Sequence, residues 1–585
     1  MNDVSWLSAQ ACAQLFGADG AHVPLTLHRL RGARLLWLNR AVARHDPAFG
    51  GAAGGDWDAY ERHVLAACAY AQKAIDASAQ DFGEEQIVAH ADRYGGGGIG
   101  LNGGSGRAAI CNGYLVKGVG RTPLVSSLTA QSHASGGAYL EESVREAIYS
   151  EVVRAEFPFS AVPVLAIIDT GLVQVWQEAQ GTKTERRTLL VRPCFARPAH
   201  FVRASSFYTD DRSQAGIDTL RVSRFHAHAA ALLGKTRLQQ MYATLWRHWA
   251  SQLAYSFAHR LPHGSNTISN VCLDAKLLDF GAMSALPSWA NIATMLARQP
   301  FAQQHKVLPG LQWSIAYSFG RYLDPALAAP AERAALATAS GAAYGATLLF
   351  EVLRVCGLSR RQAQAVLDGD ERDQAMRVVD DVIAHFQKEV LDMVESTPPL
   401  RTPWEMAQLW DGPVPAYLLS LQQLLMRVVA PAARARAAQR CRFVSATRTA
   451  LFREELKKNI FAALDHAQLD LQTDRPRIEK FINEHLARAR RDHRFDIDDA
   501  APLGFAVGSE ASFALFVDDA DGAMFALLES PSAQACAQTA HSDRLWLRSI
   551  SDAGMEFMEA GRARFEGAVH ILAEHGAEAQ TRAAA

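Results

Sequence analysis

Asn270 and the tripeptide Asp279-Phe280-Gly281 lie in the stretch from His263 to Gly281, HGSNTISNVCLDAKLLDFG. An amide oxygen and a carboxylate brought together can hold a divalent cation against phosphate oxygens, because hard cations take oxygen ligands. Two apolar runs, Val271 to Leu273 and Leu277 to Leu278, are joined at Asp274-Ala275-Lys276 and read as a β-hairpin. Such a hairpin puts Asn270 before its first strand and Asp279 after its second, close in space. Taken alone, the plainer reading is an ordinary hairpin whose Asn and Asp form turns.

Other residues of chemical interest precede it. Arg93 to Ile110, RYGGGGIGLNGGSGRAAI, is the most glycine-dense part of the chain. Glycines let backbone N–H groups turn toward an anion with no Cβ in the way, although a surface linker has the same composition. Ala108 to Val119, AAICNGYLVKGV, reads as two strands pivoting at Asn112-Gly113, with Lys117 on the second. A lone strand lysine more often points to solvent. The next segment, 140 to 156, has Val144, Ile148 and Val152 in one helical stripe. Glu146 sits beside that stripe and can face inward to meet a cation, while Glu141, Glu142 and Glu151 read as a solvated face. Arg192 ends an aliphatic run and opens the series Arg192, Arg197, Arg203, whose guanidinium forks suit phosphate oxygens.

The elements that must position these groups change character along the chain. Strands are expected over 108–119, 163–169, 173–176 and 188–193, with helices at 57–78 and 140–156 and a flexible connection at 47–56. From about Asp218 the pattern is mostly helical: 219–234, 236–260, 288–298, 311–322, 330–355, 359–367, 371–395, 403–411, 415–429, 446–467 and 475–492. The aromatic set Trp246, Trp249, Tyr255 and Phe257 reads as core, and His226 and His228 as non-ligands because they cannot share a helix face. The basic clusters near 431–442 and 475–492 read as solvated helix faces, and strand-like runs return over 502–530.

With 585 residues, 49% of them hydrophobic and 21% charged, the chain has a globular composition too long for one core. A net charge of −2 gives no support to a general nucleic-acid or membrane-surface role. No run approaches the length of apolar residues that spans a bilayer. The start, MNDVSWLSAQAC, lacks the basic and apolar blocks of a signal peptide, and the 8 cysteines form no CxxC pair. The expectation is a cytoplasmic protein with reduced thiols.

Taken in order, the glycine loop, strand lysine, helix glutamate, arginines, His-Gly loop with Asn and then Asp-Phe-Gly resemble the SelO (YdiU) family of kinase-like protein adenylyltransferases. The motifs lie between about residues 25 and 285. GSGRA at 104–108 looks like the family's GDGRA, VKGVGRTP at 116–123 like its LKGAGxTP, and SVREAIYSEV like its IRE…SEA helix. Tyr94 with Gly96 through Gly100 stand where the family has its YxGHQFG segment. The resemblance implies an α+β, kinase-like two-lobe fold: an N-lobe over 1–210, a mostly helical C-lobe over 211–400, and a mainly helical extension over 401–585. It implies that Lys117 and Glu146 pair to orient the phosphates of ATP. It places Gly104, Gly106, Arg107, Ser135, Gly136, Arg192 and Arg203 at the nucleotide, and Asn270 and Asp279 on Mg²⁺ or Mn²⁺.

The departures bear on the acceptor. Ser269 stands where the family has the Asp that accepts a proton, and Ser is no base near neutral pH without activation. Ser105 and Ser135 replace two further aspartates, and Gly97-Gly98 a His-Gln. Three functions remain open: AMP transfer to a protein or peptide acceptor, a silent nucleotide-binding scaffold for a partner modifying enzyme, and ordinary phosphoryl transfer.

Overall fold

The computed structural model describes residues 7–547 apart from 18–22, 52, 74–77, 97–100, 130–133, 179–180, 210–217, 287–290, 294–300, 387–389, 393–405, 446–447, 465–470, 490–499, 508–511, 519–523 and 530–543. Its first part is an antiparallel sheet of strands β1 (Val23–Leu30), β2 (Arg34–Leu38), β3 (Tyr70–Ala71), β4 (Phe82–Arg93), β5 (Gly104–Cys111), β6 (Tyr114–Lys117), β7 (Ala138–Tyr139), β8 (Ala166–Glu178) and β9 (Gly181–Pro193). Their order is β2-β8-β9-β6-β5-β4-β1-β3, with β7 also on β9. The Asn112-Gly113 turn that joins β5 to β6 has φ of 47° and 93°, the two left-handed residues a tight hairpin demands.

Alternation along the strands separates two cores. Ala109, Cys111, Val116, Leu189 and Val191 pack on one face with Tyr60 and Val64 of helix α2 (Trp57–Cys68), following the short α1 (Ala9–Phe16). Ile110, Leu115 and Leu190 face the other side, under helix α3 (Leu140–Glu156). Asp56 caps α2 by accepting from Ala59 N at 2.6 Å. The helix expected to reach residue 78 stops at Cys68, because the chain turns there to pair Tyr70 and Ala71 with β1. The expected flexible connection at 47–56 is ordered in part: Asp46 caps a short helix, Pro47–Gly50, and accepts 2.6 Å bonds from the hydroxyls of Tyr60 and Tyr114.

Helices α4 (Asp218–Leu233), α5 (Lys235–Ala258), α6 (Leu308–Tyr322), α7 (Pro330–Val355), α8 (Arg360–Asp368), α9 (Arg372–Phe386), α10 (Ala416–Val428), α11 (Arg434–Ser445), α12 (Arg453–Ala463) and α13 (Leu471–Ala489) follow. Trp246, Trp249, Tyr255 and Phe257 are all buried in the core, as their spacing predicts. Contrary to the expectation that no run approaches a bilayer-spanning length, helix α7 is long and apolar enough by composition to cross a membrane, with mean hydropathy 1.3. In this fold it lies along α5 with Leu348, Leu349 and Val352 buried, and its Glu351 meets His259 at 2.9 Å. The helix expected over 288–298 contains instead a strand, Asn291–Ala293, paired in parallel with Val390–Asp392 from the tail of the expected 371–395 helix. Of 403–411, only Gln408–Asp411 is described as helix, and 446–467 resolves into a turn at Thr449–Leu451 followed by α12.

The last third mixes helices with a four-stranded antiparallel sheet, Ala500–Val507, Ser512–Asp518, Met524–Glu529 and Arg544–Leu547, so the helical extension expected over 401–585 is only part of it. Helices α12 and α13 pack on α3, and α13 also on β2. The Tyr149 hydroxyl donates to Leu451 O at 2.9 Å, and Arg448 grips both oxygens of Glu156 at 3.0 and 2.7 Å. In the basic clusters, Arg440 is buried and Arg442 pairs with Asp411 at 2.6 Å, which leaves less of a free basic face than composition implies.

Candidate active site

Strand register brings the site cations together. Lys117 follows Val116, so it shares the face of Leu115, and β6 sets Lys117 opposite Leu190 and Leu115 opposite Arg192. Lys117 and Arg192 are therefore diagonal neighbours on the face that α3 covers. Lys117 Nζ lies 2.9 Å from Glu146 Oε1, 2.8 Å from Glu142 Oε1 and 3.5 Å from Asp279 Oδ1. Arg192 donates to Glu146 Oε2, and its Nε is buried with no partner among the described residues. Arg107 donates to Glu142 through both terminal nitrogens, at 2.9 and 2.7 Å, and to Gly137 O at 2.9 Å.

The surprise is Glu142. The solvated face assigned to Glu141, Glu142 and Glu151 does not exist: Glu141 and Glu151 are buried, and Glu142 sits between two cations. Glu151 is held by Arg154 and by the Asn39 amide, and Glu141 by Arg145. The signal was present in the spacing, since Glu142 lies four positions before Glu146 and so on the same face. A charged residue is not outside by default on a helix that is covered on more than one face.

The stretch 271–278 turns tightly without forming full strands. Val271 and Leu277 make one bridge, with Cys272 N to Lys276 O at 2.8 Å and Leu278 N to Asn270 O at 3.1 Å. Leu277 also bridges Ala161, and Ala275 takes φ 67°, so no ladder extends. The turn still brings Asn270 beside the residue that precedes Asp279. Asp279 itself is left-handed at φ 63°, and Phe280 is fully buried against His263. Phe280 N donates to Glu146 Oε2 at 3.4 Å, and Arg145 holds Gly281 O at 2.7 Å, so α3 fixes the turn from both sides. His263 Nε2 donates to Leu278 O at 2.9 Å while Nδ1 accepts from Ser265 N, and burial lowers its pKa; these partners assign the neutral tautomer.

Electrostatics follow from this crowding. Burial pushes the Asp279 carboxyl up, but Lys117, Arg107 and Arg192 outweigh it and hold it well below the usual carboxylate range. Its side chain is 47% exposed, so water screens part of that attraction. Glu142 follows the same logic: burial raises it, and Arg107 and Lys117 bring it down to about 2. Lys117 is raised overall, since its carboxylates outweigh burial and the repulsion of Arg107.

A cation would find two protein ligands here. Asn270 Nδ2 is committed to Ser265 O and Oγ at 3.1 and 2.9 Å, which leaves its Oδ1 as an acceptor a metal could use, and the Asp279 carboxylate is half exposed. Among the described residues, no group of three or more His, Cys, Asp or Glu side chains is arranged to hold a metal by itself. Two oxygen ligands suit Mg²⁺ that arrives on phosphate and keeps its waters.

The remaining expected residues are placed as follows. A Cβ at Gly104 would meet Asp92 O at 2.3 Å, and one at Gly136, where φ is 74°, would meet Arg121 N at 2.0 Å; both need glycine for close backbone approach. Gly106 accepts from Thr122 N at 3.0 Å, and Ser135 Oγ meets Tyr139 Oη at 3.0 Å. Ser269 Oγ pairs with Thr267 Oγ1 at 2.7 Å. Gly97, Gly98 and Gly100 lie outside the described residues. The phosphate cradle of Arg192, Arg197 and Arg203 is not assembled. Arg203 is exposed on the loop against Gly95, and Arg197 spans Asp92 Oδ2 and Ser269 O, both at 2.7 Å. His200 Nε2 completes this cluster on Asp92 Oδ1 at 2.8 Å, and Arg197 stacks over Tyr94 at 4.5 Å. Asp92 and His200 carry no signal in the sequence beyond their residue types. No protein-family model and no curated protein matches the chain.

Proposed function

We propose that the chain is a SelO-like nucleotidyltransferase of kinase-like, two-lobe design. It would bind ATP with Mg²⁺ or Mn²⁺ at the Lys117 cluster and transfer AMP to a protein or peptide acceptor. The observation that carries this reading is the Lys117–Glu146 ion pair at 2.9 Å with Asp279 Oδ1 3.5 Å from the same ammonium. A lysine oriented by a helix glutamate beside an Asp-Phe-Gly carboxylate is the arrangement that handles ATP phosphates in kinase-like folds.

In this reading Lys117, Arg107 and Arg192 supply positive charge where phosphate oxygens sit, and Asn270 and Asp279 would hold the metal, whose charge offsets that of the phosphates. An acceptor oxygen attacks the α-phosphorus, the bond to the β-phosphate bridging oxygen breaks, and pyrophosphate leaves. A carboxylate acceptor has no proton to lose at neutral pH. A hydroxyl acceptor must shed one, and Ser269, whose hydroxyl is engaged with Thr267, is no base for it. That same engagement favours a second reading, a nucleotide-bound scaffold without turnover.

The test is incubation with candidate acceptors and ATP labelled at the α- or the γ-phosphate. Label from the α-position alone supports AMP transfer. Label from the γ-position alone means phosphoryl transfer and sinks the leading reading. No label with a clear ATP-dependent rise in Tm favours the scaffold.

A further inference from the structure

The donors that would take a phosphate are already engaged from within the chain. Arg107 meets both oxygens of Glu142, at 2.9 and 2.7 Å, and Lys117 reaches the second of them at 2.8 Å. One carboxylate thus bridges two cations in the forked geometry that guanidinium offers to phosphate. Glu146 behaves differently: it is fully buried and has its own second cation in Arg192, so it is a fixed part of the frame. Glu142 sits at the open side of the cluster, with its side chain 14% exposed and that of Arg107 32%. The three cations Arg107, Lys117 and Arg192 are matched by Glu142, Glu146 and Asp279, so the cluster carries no surplus charge to draw in an anion.

We propose that Glu142 is an internal surrogate for phosphate, closing the Arg107–Lys117 clamp until an incoming phosphoryl group displaces it. The inference rests on the phosphate-binding reading of the site. Displacement also sets selectivity. A carboxylate or a singly charged phosphodiester gains nothing over Glu142, which is tethered and therefore present at high effective concentration. A polyphosphate tail offers several oxygens and more charge than one carboxylate, and it wins the exchange. The clamp therefore selects nucleoside polyphosphates or other polyphosphates over carboxylate ligands.

The experiment is calorimetric titration of the full chain with inorganic tripolyphosphate, ATP and succinate, for the unaltered protein, Glu142→Gln and Glu142→Ser. Removing the competitor should tighten tripolyphosphate binding about ten- to a hundredfold, the range of a charge-assisted contact, and let succinate bind. Equal or weaker tripolyphosphate affinity in the folded variants overturns the proposal. A second measurement needs no variant: in the unaltered chain, tripolyphosphate should raise carbodiimide labelling of Glu142, read by mass spectrometry, and unchanged labelling overturns the proposal. The two readings separate cleanly. Tighter tripolyphosphate binding without ATP binding leaves the Glu142 inference and removes the nucleotide one, while equal ATP affinity in all three proteins does the reverse.

Discussion

Glu142 and Glu146, one helical turn apart on α3, place carboxylate oxygens 2.8 and 2.9 Å from the same Lys117 ammonium. One lysine therefore bridges two acids that would otherwise repel each other, and the first consequence concerns its removal. We predict that Lys117→Met destabilises the chain by about 3 kcal/mol, because it strips a cation from buried partners. Urea denaturation measures this, and a change below about 1 kcal/mol would show that water already screens the pair.

Asp279 should separate binding from folding. Its side chain is 47% exposed and its φ of 63° is one that Asn adopts readily. Asp279→Asn is predicted to keep the Tm of the ligand-free chain within a few degrees while losing the rise that ATP with Mg²⁺ produces. An unchanged metal-dependent rise would place the cation elsewhere.

Ser269→Asp introduces a carboxylate where a hydroxyl acceptor needs a base. Transfer to a hydroxyl should rise by about 10²- to 10⁴-fold, the usual contribution of a general base, and transfer to a carboxylate should not rise. Parallel gains on both acceptors would mean that the new side chain acts by rearranging the loop.

Arg197 ties the strand end at Asp92 to the loop at Ser269. Arg197→Lys is predicted to lose most of the stability that Arg197→Met loses, about 3 kcal/mol, because one ammonium cannot reproduce a planar fork reaching two partners. Rescue by lysine would mean that charge alone matters there.

An acid limb is expected from His226. It is buried against Phe201, Phe319 and Tyr322, with Nε2 3.0 Å from Ser318 Oγ, and burial holds its pKa down to about 4. The unfolded chain binds the proton at about 6.5, so it carries more protons than the folded one between these values, and stability rises with pH there. Stability is fully present above about 6.5 and falls by up to about 3 kcal/mol as pH drops toward 4. His226→Leu should shrink this limb in denaturation curves taken across that range; His305, also lowered to about 4, and the buried His263 contribute to what remains.

Much of this arrangement could be read from residue order. Strand alternation around Lys117, the Asn112-Gly113 turn and the 140–156 helix were all explicit in local pattern, whereas the Lys117–Glu146 pairing was only implied by the motif order, since a lone strand lysine reads as solvent-facing. Glu142 was misread because a single amphipathic stripe says nothing about a second buried face, and α3 is covered on nearly every side. Arg197 with Asp92 and His200 was invisible for another reason: Arg197 and His200 share one turn, but Asp92 reaches them from 105 and 108 positions away, a crossing that no local pattern shows. The parallel pairing of Asn291–Ala293 with Val390–Asp392 failed to appear for the same cause.

The grip of Arg448 on Glu156 and of Tyr149 on Leu451 reaches beyond packing. These bonds, with α12 and α13 laid on α3, make the later part of the chain one wall of the helix that carries Glu142 and Glu146. A gene shortened near residue 400 would leave Glu156 without its buried counter-ion and strip one side of that helix bare. Exchanging the later part for another module would require changes on the facing side of that helix as well. The two regions form one folding unit, so neither is expected to be stable when the other is exchanged alone.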